Sequence, residues 1–354
     1  MRIILFILCL FYLSCEEEIT LSLPNNGEQL VVEASIEKDC PPYVILTKNQ
    51  GYFDPIDEDT YFDLFDVDVD SVKIWFNNEN GQKIVKNLRK VEMPFETSLE
   101  EEIPPIYLPD DLEDFIDPYD LSFTSPYDFS KEGRTYFLEI LRNGERITSQ
   151  TTIPISTPLD CVWVEQNEIA IKEWKCDVRG VYTDPGEIQN NLLIRTKRIE
   201  HYERDSIYND GTISDPDIRT LLVDAGSDVL FNGESFETYF PRPIKGSGFP
   251  FGAYNADHYK TYYNNGNLDS VLISHDVVVI KFCQIDEESL KFWRALVRQA
   301  GTNGNPFSEP INLVSNIIGG MGVFTGYGSV YYKIPIIKDT VIFDQYEPTI
   351  EDIF

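Results

Sequence analysis

The sequence predicts a mainly β protein, an N-terminal immunoglobulin-like antiparallel sandwich followed by a second β-rich domain with one amphipathic helix. Three observations predict it. Short runs rich in β-branched and aromatic residues recur between clusters of Gly, Pro, Asn and Asp. Two pairs of these runs are joined by tight Asn- and Gly-containing turns, and no helix-length segment alternates with them as a parallel sheet would require. A single stretch, 287–300, repeats its apolar residues at helical spacing. The chain has 354 residues, 42% hydrophobic and 13% aromatic, enough apolar content to bury a core. Its 60 Asp and Glu against 29 Lys and Arg give a net charge of -31, which argues against nucleic acid as a partner because phosphate binding needs clustered cations.

The first segment reads as a targeting signal. Residues 1–14 open on Met1 and Arg2, run apolar from Ile3 to Leu13 and close on Ser14 ahead of Cys15. The apolar run is shorter than the about 20 residues a membrane-spanning helix needs, so it fits a cleaved signal peptide. Leu13, Ser14 and Cys15 resemble a bacterial lipoprotein signal, which implies that Cys15 is lipidated and becomes the mature N-terminus; Tyr12 stands where an aliphatic residue is usual. An ordinary cleaved signal before an unmodified cysteine is the alternative. Glu16, Glu17 and Glu18 follow, and this acidic triplet resembles the signal that sends Bacteroidota lipoproteins to the outer face of the outer membrane. Residues 15–24 would then be a lipidated acidic tether, and lipid the sole membrane anchor.

The sandwich is expected over 25–155. The run from Glu28 to Ile36 and the run from Tyr43 to Thr47 read as its first strands. Val72–Phe76 and Lys83–Val85 flank Asn77 to Gly81, and Tyr136–Leu141 and Ile147–Thr151 flank Asn143 and Gly144, giving two hairpins. An acidic insertion interrupts the sandwich at 91–130, with 12 acidic residues, no Lys or Arg, six prolines and seven aromatics, among them Tyr107, Phe115, Tyr119, Phe123, Tyr127 and Phe129. It reads either as a recognition surface or as a solvated loop tucked onto its own sandwich. The second domain, 156–354, has strand candidates at 169–178, 192–199, 220–223, 271–273 and 277–282. Its helix, 287–300, has Asp286 as N-cap, Leu290, Trp293, Leu296 and Val297 on one face, and Gly301 as stop.

Candidate chemistry is sparse. Removal of the signal takes Cys9 and lipid occupies Cys15, which leaves Cys40, Cys161, Cys176 and Cys283; an exported protein is expected to pair at least two of them, in one of three connectivities. His201, His258 and His275 have no catalytic neighbours in sequence, and Ser274, His275 and Asp276 are consecutive, so a strand would point them to opposite faces. Asp66, Asp68 and Asp70 alternate onto one face of an extended segment. They are candidate calcium ligands or a solvated strand face, and calcium is the one cofactor the sequence offers. The glycines from Gly319 to Gly328 lack the Lys and following helix of a phosphate cradle and suit a strand that passes close to another backbone.

Asn316, Gly319, Gly320, Gly322 and Phe324, in the pattern Asn-Ile-x-Gly-Gly-x-Gly-x-Phe, are unusual together. With the Leu30–Ala34 and Gly133–Leu138 strands and the lipobox, they resemble a Bacteroidota outer-membrane lipoprotein family known as domain of unknown function 4249. The resemblance implies an accessory role beside a TonB-dependent outer-membrane receptor and carries no catalytic residues. The expected function is therefore a surface-exposed outer-membrane lipoprotein that binds a ligand for, or assists, such a receptor. A secreted hydrolase acting on glycans, or an adhesive surface module, is the alternative. The aromatic and acidic 91–130 segment is the expected contact with the receptor.

Overall fold

The computed structural model describes residues 29–49, 63–91, 105–117, 122–168, 175–200, 217–228, 232–241, 254–255, 258–264, 267–274, 276–300 and 313–353. The first half contributes β1 (Leu30–Glu37), β2 (Tyr43–Lys48), β3 (Ser71–Asn77), β4 (Lys83–Val91), β5 (Ile106–Pro109), β6 (Thr135–Arg142) and β7 (Glu145–Thr152). The second contributes β8 (Cys161–Gln166), β9 (Lys175–Thr183), β10 (Asn191–Glu200), β11 (Asp217–Ser227), β12 (Ser235–Phe240), β13 (Tyr254–Asn255), β14 (His258–Asn264), β15 (Asn267–Ser274) and β16 (Val277–Gln284). Helix α1 (Glu287–Ala300), the long β17 (Met321–Pro335), β18 (Val341–Ile342) and the short α2 (Ile350–Ile353) complete it. The protein is mainly β, as expected.

The two hairpins form where the turn residues placed them. Lys83 pairs with Asn77 across a turn in which Gly81 has φ 75°, and Arg142 pairs with Glu145 across Asn143 and Gly144, both at positive φ. Inward positions of β3 and β6 carry Val72, Ile74, Phe76, Tyr136, Leu138 and Ile140, all buried. The Tyr136 hydroxyl donates to the Phe129 carbonyl (2.7 Å), the corner bond that ties an immunoglobulin-like strand to the loop before it.

Most strands belong to one sheet of eleven, ordered β11-β10-β16-β17-β1-β2-β5-β4-β3-β6-β7. The sheet therefore does not stop at the expected boundary between 155 and 156. Strand β17 explains this: its first half runs parallel to β1, from Val31 opposite Met321 to Glu37 opposite Tyr327, and its second half runs antiparallel to β16. Beyond β1 the sheet curls until its far edge, β7, returns to β17, where the Gly326 amide donates to Thr151 Oγ1 (2.8 Å). The enclosed core holds Val32, Ile36, Ile74, Leu138 and, from the C-terminal part, Ile317 and Phe324.

Two further cores lie on either side of β10, β16 and β17. On one face the sheet of β12, β9, β8 and β18 packs Val164, Val178 and Tyr182 against Phe282 and Tyr332. On the other, α1 sets Leu290 and Trp293 on Leu193, Cys283, Val323 and Tyr327. Asp286 caps the helix as expected, its Oδ1 accepting from the Ser289 amide (2.8 Å), while its Oδ2 accepts from Thr151 Oγ1 (2.5 Å) and so holds the helix start against β7.

Several expectations are corrected. The 91–130 segment supplies β5, which pairs with both β2 and β4, and Tyr107, Tyr127 and Phe129 are buried in the sandwich core, with Phe115 packed edge-on to Tyr127. Tyr107, Tyr127 and Phe129 thus follow the alternative in which the aromatics tuck onto the sandwich. Residues 92–104 and 118–121, with Tyr119, lie outside the described residues.

The four cysteines Cys40, Cys161, Cys176 and Cys283 are all free. Cys161 faces Val181 and Cys176 faces Gln166 in the β8–β9 ladder. Five strand positions thus separate them, roughly 16 Å at about 3.3 Å per residue, beyond the ~7 Å Cα limit for a disulfide. Cys40 packs with α2, and Cys283 Sγ contacts Ser329 Oγ (3.4 Å).

Asp66, Asp68 and Asp70 do alternate, all exposed, about the buried Val67. An extended segment spaces such carboxylates about 7 Å apart in a row, whereas calcium draws its ligands to one point at about 2.4 Å. Among the described residues no group of three or more His, Cys, Asp or Glu could hold a metal ion, so the calcium reading is withdrawn. His201 and His275 lie outside the described residues, and Asp276 is buried after β15.

Candidate functional site

The family-type motif turns out to be a structural lock. Asn316 donates through Nδ2 to the Phe324 carbonyl and accepts at Oδ1 from the Phe324 amide, both 2.8 Å, so one side chain serves as a pairing partner for the start of β17. Ser149 Oγ donates to the Asn316 carbonyl (2.8 Å), and Ile318 and Thr148 exchange backbone bonds of 2.8 and 3.0 Å, which docks the motif onto the open edge of β7. Gly319, at φ 88°, turns the chain toward Gly320. At Gly322, φ is 111° and a Cβ would overlap the Val32 carbonyl, so the backbones of β17 and β1 approach as only glycine allows.

Docking the motif on β7 raises a wall beside the outer face of the sandwich and creates a groove of about 660 Å³. One side is Trp75 and Phe137, cross-strand partners on β3 and β6 whose rings stack with centroids 5.5 Å apart and planes 20° apart. Lys83 of β4 sits over the indole, 3.6 Å from its centroid. Strand order places Lys83 and Phe137 on opposite sides of Trp75, so the stack leaves the Phe137 ring face that looks toward β7 and the groove. The far wall is Val314 and Ile318, 53% and 73% exposed, with Glu288 and Lys291 of α1 at its end. Thr148 and Gln150 of β7 form a polar floor.

Both cations at the groove are paired. Arg146 Nε donates to Glu139 Oε2 (2.6 Å), and Lys291 lies 2.8 Å from Glu287, one turn away. That contact raises the Lys291 pKa above its ordinary value and lowers that of Glu287. The side-chain amide of Gln150 and the hydroxyl of Thr148 have no hydrogen bond among the described residues, and Gln150 is exposed. The arrangement presents an aromatic face, an aliphatic wall and free neutral hydrogen-bonding groups: the chemistry of reversible binding.

A second cluster is buried on the α1 side of the sheet. Lys281 Nζ lies 2.5 Å from Glu37 Oε2, and the same nitrogen is 4.6 Å from the Tyr327 ring centroid. Burial on its own would lower the Lys281 pKa, but the Glu37 carboxylate beside it raises it above the ordinary value, so the pair is ionic. Arg195 stacks over Trp293 (4.5 Å), whose Nε1 donates to Thr325 Oγ1 (3.0 Å). These groups are enclosed between α1, β1 and β17, and they fix strands to one another.

Sequence reasoning found the motif but not the groove beside it. Trp75 and Phe137 escaped notice because each sits in a strand whose alternation looked complete. The available signal was their phase: with Val72, Ile74 and Phe76 inward, Trp75 falls on the outward face, where a large aromatic is out of place for mere solvation. Cys15 and Glu16, Glu17 and Glu18 lie outside the described residues. No helix among the described residues is long and apolar enough to cross a membrane; that leaves β-barrel spans unaddressed.

Fold and site define a mainly β protein with an immunoglobulin-like half and an open, aromatic-lined groove. The chain belongs to the family described as a domain of unknown function, DUF4249, which it matches over residues 16–332. No curated protein matches it, and no solved structure does.

Proposed function

We propose that this protein is a lipid-anchored, surface-exposed outer-membrane lipoprotein that captures a ligand as an accessory subunit of a TonB-dependent receptor. The observation that carries the binding role is the exposed groove between the Trp75–Phe137 stack and the Val314–Ile318 wall, an apolar concavity left open to solvent. The apolar run ending at Ser14 and Cys15 supports export and lipid anchoring, and the acidic Glu16–Glu18 triplet supports display on the outer face. The resemblance that places relatives beside TonB-dependent receptors supports the accessory role.

The receptor part is tested by extracting outer membranes in mild detergent, capturing the full-length protein and identifying what accompanies it. A TonB-dependent barrel at near-stoichiometric yield is expected. Capture without any such barrel, from cells that produce the protein at its native level, overturns the accessory role.

A further inference from the structure

We infer that the ligand held in the groove is an uncharged oligosaccharide. The inference rests on reading the groove as the ligand site and adds the chemical class. Three properties point to it. The free ring face of Phe137, backed by Trp75 and Lys83, opposes the aliphatic Val314–Ile318 wall. A sugar ring is a disc with apolar C–H faces, and it fits between an aromatic face and an aliphatic one.

The floor supplies the second property. Gln150 offers an amide donor and an acceptor, and Thr148 a hydroxyl, none of them engaged among the described residues. A purely apolar ligand would bury these groups without partners, at a cost that works against binding. A polyol satisfies them through its equatorial hydroxyls while its faces stack. One ligand class meets both demands in the same narrow space.

Charge supplies the third. Arg146 is held by Glu139 and Lys291 by Glu287, while Glu288 adds a carboxylate, so the groove leaves no cation free to hold an anionic ligand. The chain as a whole carries -31, a net charge that disfavours anionic polymers. An uncharged, amphipathic chain needs no free cation and meets no repulsion in such a groove.

The test uses the full-length protein in mild detergent, titrated with maltohexaose, cellohexaose, xylohexaose and chitohexaose, with a heparin hexasaccharide as the anionic comparator. Calorimetry and tryptophan fluorescence are both read. At least one neutral hexasaccharide is expected to bind and to change the emission. Phe137→Ala should weaken it about tenfold, the equivalent of one lost stacking contact. Gln150→Ala, at an exposed position where folding is not at stake, should weaken it several-fold at an unchanged melting temperature.

No binding by any neutral hexasaccharide overturns the inference, as does tighter binding of the heparin fragment or affinity that Gln150→Ala and Phe137→Ala leave untouched. Receptor co-purification is measured on the same preparations. A receptor retained without saccharide binding disproves the ligand class alone, whereas loss of the receptor disproves the accessory role alone.

Discussion

Lys281 and Glu37 stand 244 positions apart in the chain, yet Lys281 Nζ and Glu37 Oε2 meet at 2.5 Å with both side chains almost wholly buried. Glu37 ends β1 and Lys281 lies in β16, so the pair closes over β17, the strand between them. Such a pair is stabilising only as a pair, because either charge alone would remain in a medium that solvates it poorly. Glu37→Ala or Lys281→Ala should each cost about 3–5 kcal/mol. The double replacement Glu37→Leu with Lys281→Met should recover most of that. Urea unfolding followed by circular dichroism measures all three, and single variants of near wild-type stability would show that the pair contributes nothing.

The Asn316 clamp should behave as structure and not as ligand contact. Asn316→Ala leaves the Phe324 amide and carbonyl without their 2.8 Å partners, which should cost roughly 1–3 kcal/mol per unsatisfied group. Gly322→Ala should be worse, because it adds a Cβ against the Val32 carbonyl at a φ of 111°. Loss of soluble protein is the expected result for Gly322→Ala, and a normal thermal transition would refute the close approach of β17 to β1.

Alkaline pH should loosen the second-half core. Burial pushes the Cys283 thiol up to about 11 and the Tyr182 and Tyr332 hydroxyls up to about 12. Groups whose folded pKa is raised contribute stability that is complete below the unfolded value and disappears as pH climbs through the folded one. For Cys283 that window runs from pH 9 to about 11, and for the tyrosines from pH 10 to about 12. Each full two-unit shift corresponds to at most about 3 kcal/mol. Unfolding free energies measured between pH 8 and 11 should fall, and Cys283→Ala should flatten the decline.

Thiol accessibility should follow position. Cys161 is partly exposed at the start of β8, whereas Cys40, Cys176 and Cys283 are buried. Native protein treated with a maleimide at neutral pH should take one label quickly, at Cys161, and all four of these cysteines should label after denaturation without reductant. A missing pair under denaturing conditions would mean a disulfide, against the four free thiols of the structure.

Under the lipid-anchor proposal, Cys15→Ala should move the protein from the membrane fraction to the soluble one, because acyl chains on that residue would supply the anchoring. Fractionation after a high-salt wash is the check. Continued sedimentation with membranes would sink the lipid-anchor proposal.

Local chemistry made much of this fold readable. The Asn143–Gly144 turn, the alternation of Val72, Ile74 and Phe76, and the Asp286 cap before Leu290 and Trp293 each depend on neighbours a few residues away, and each forms as expected. For the 91–130 segment, local sequence leaves open whether the aromatics face a partner or tuck onto the sandwich, and the structure buries Tyr107, Tyr127 and Phe129 in the core. The segment's acidity is local, but the value of Phe129 as a core residue, and of Tyr127 packed on it, depends on Phe76 and Tyr136, which reach Phe129 only when β3 and β6 have paired.

The sequence by itself determined the class of the protein, the turns of its two hairpins and the helix at 287–300. Period-2 and period-3.6 patterns and backbone constraints are written residue by residue. Only the tertiary structure decided that β17 would join the two halves in a single sheet, that Glu37 would meet Lys281, that Cys161 and Cys176 would stand apart on one hairpin, and that Asn316 would raise a wall beside Phe137. Those relations depend on strand order and register between distant segments. Many pairings satisfy the same local patterns, and the choice among them is made by the packing of the whole core.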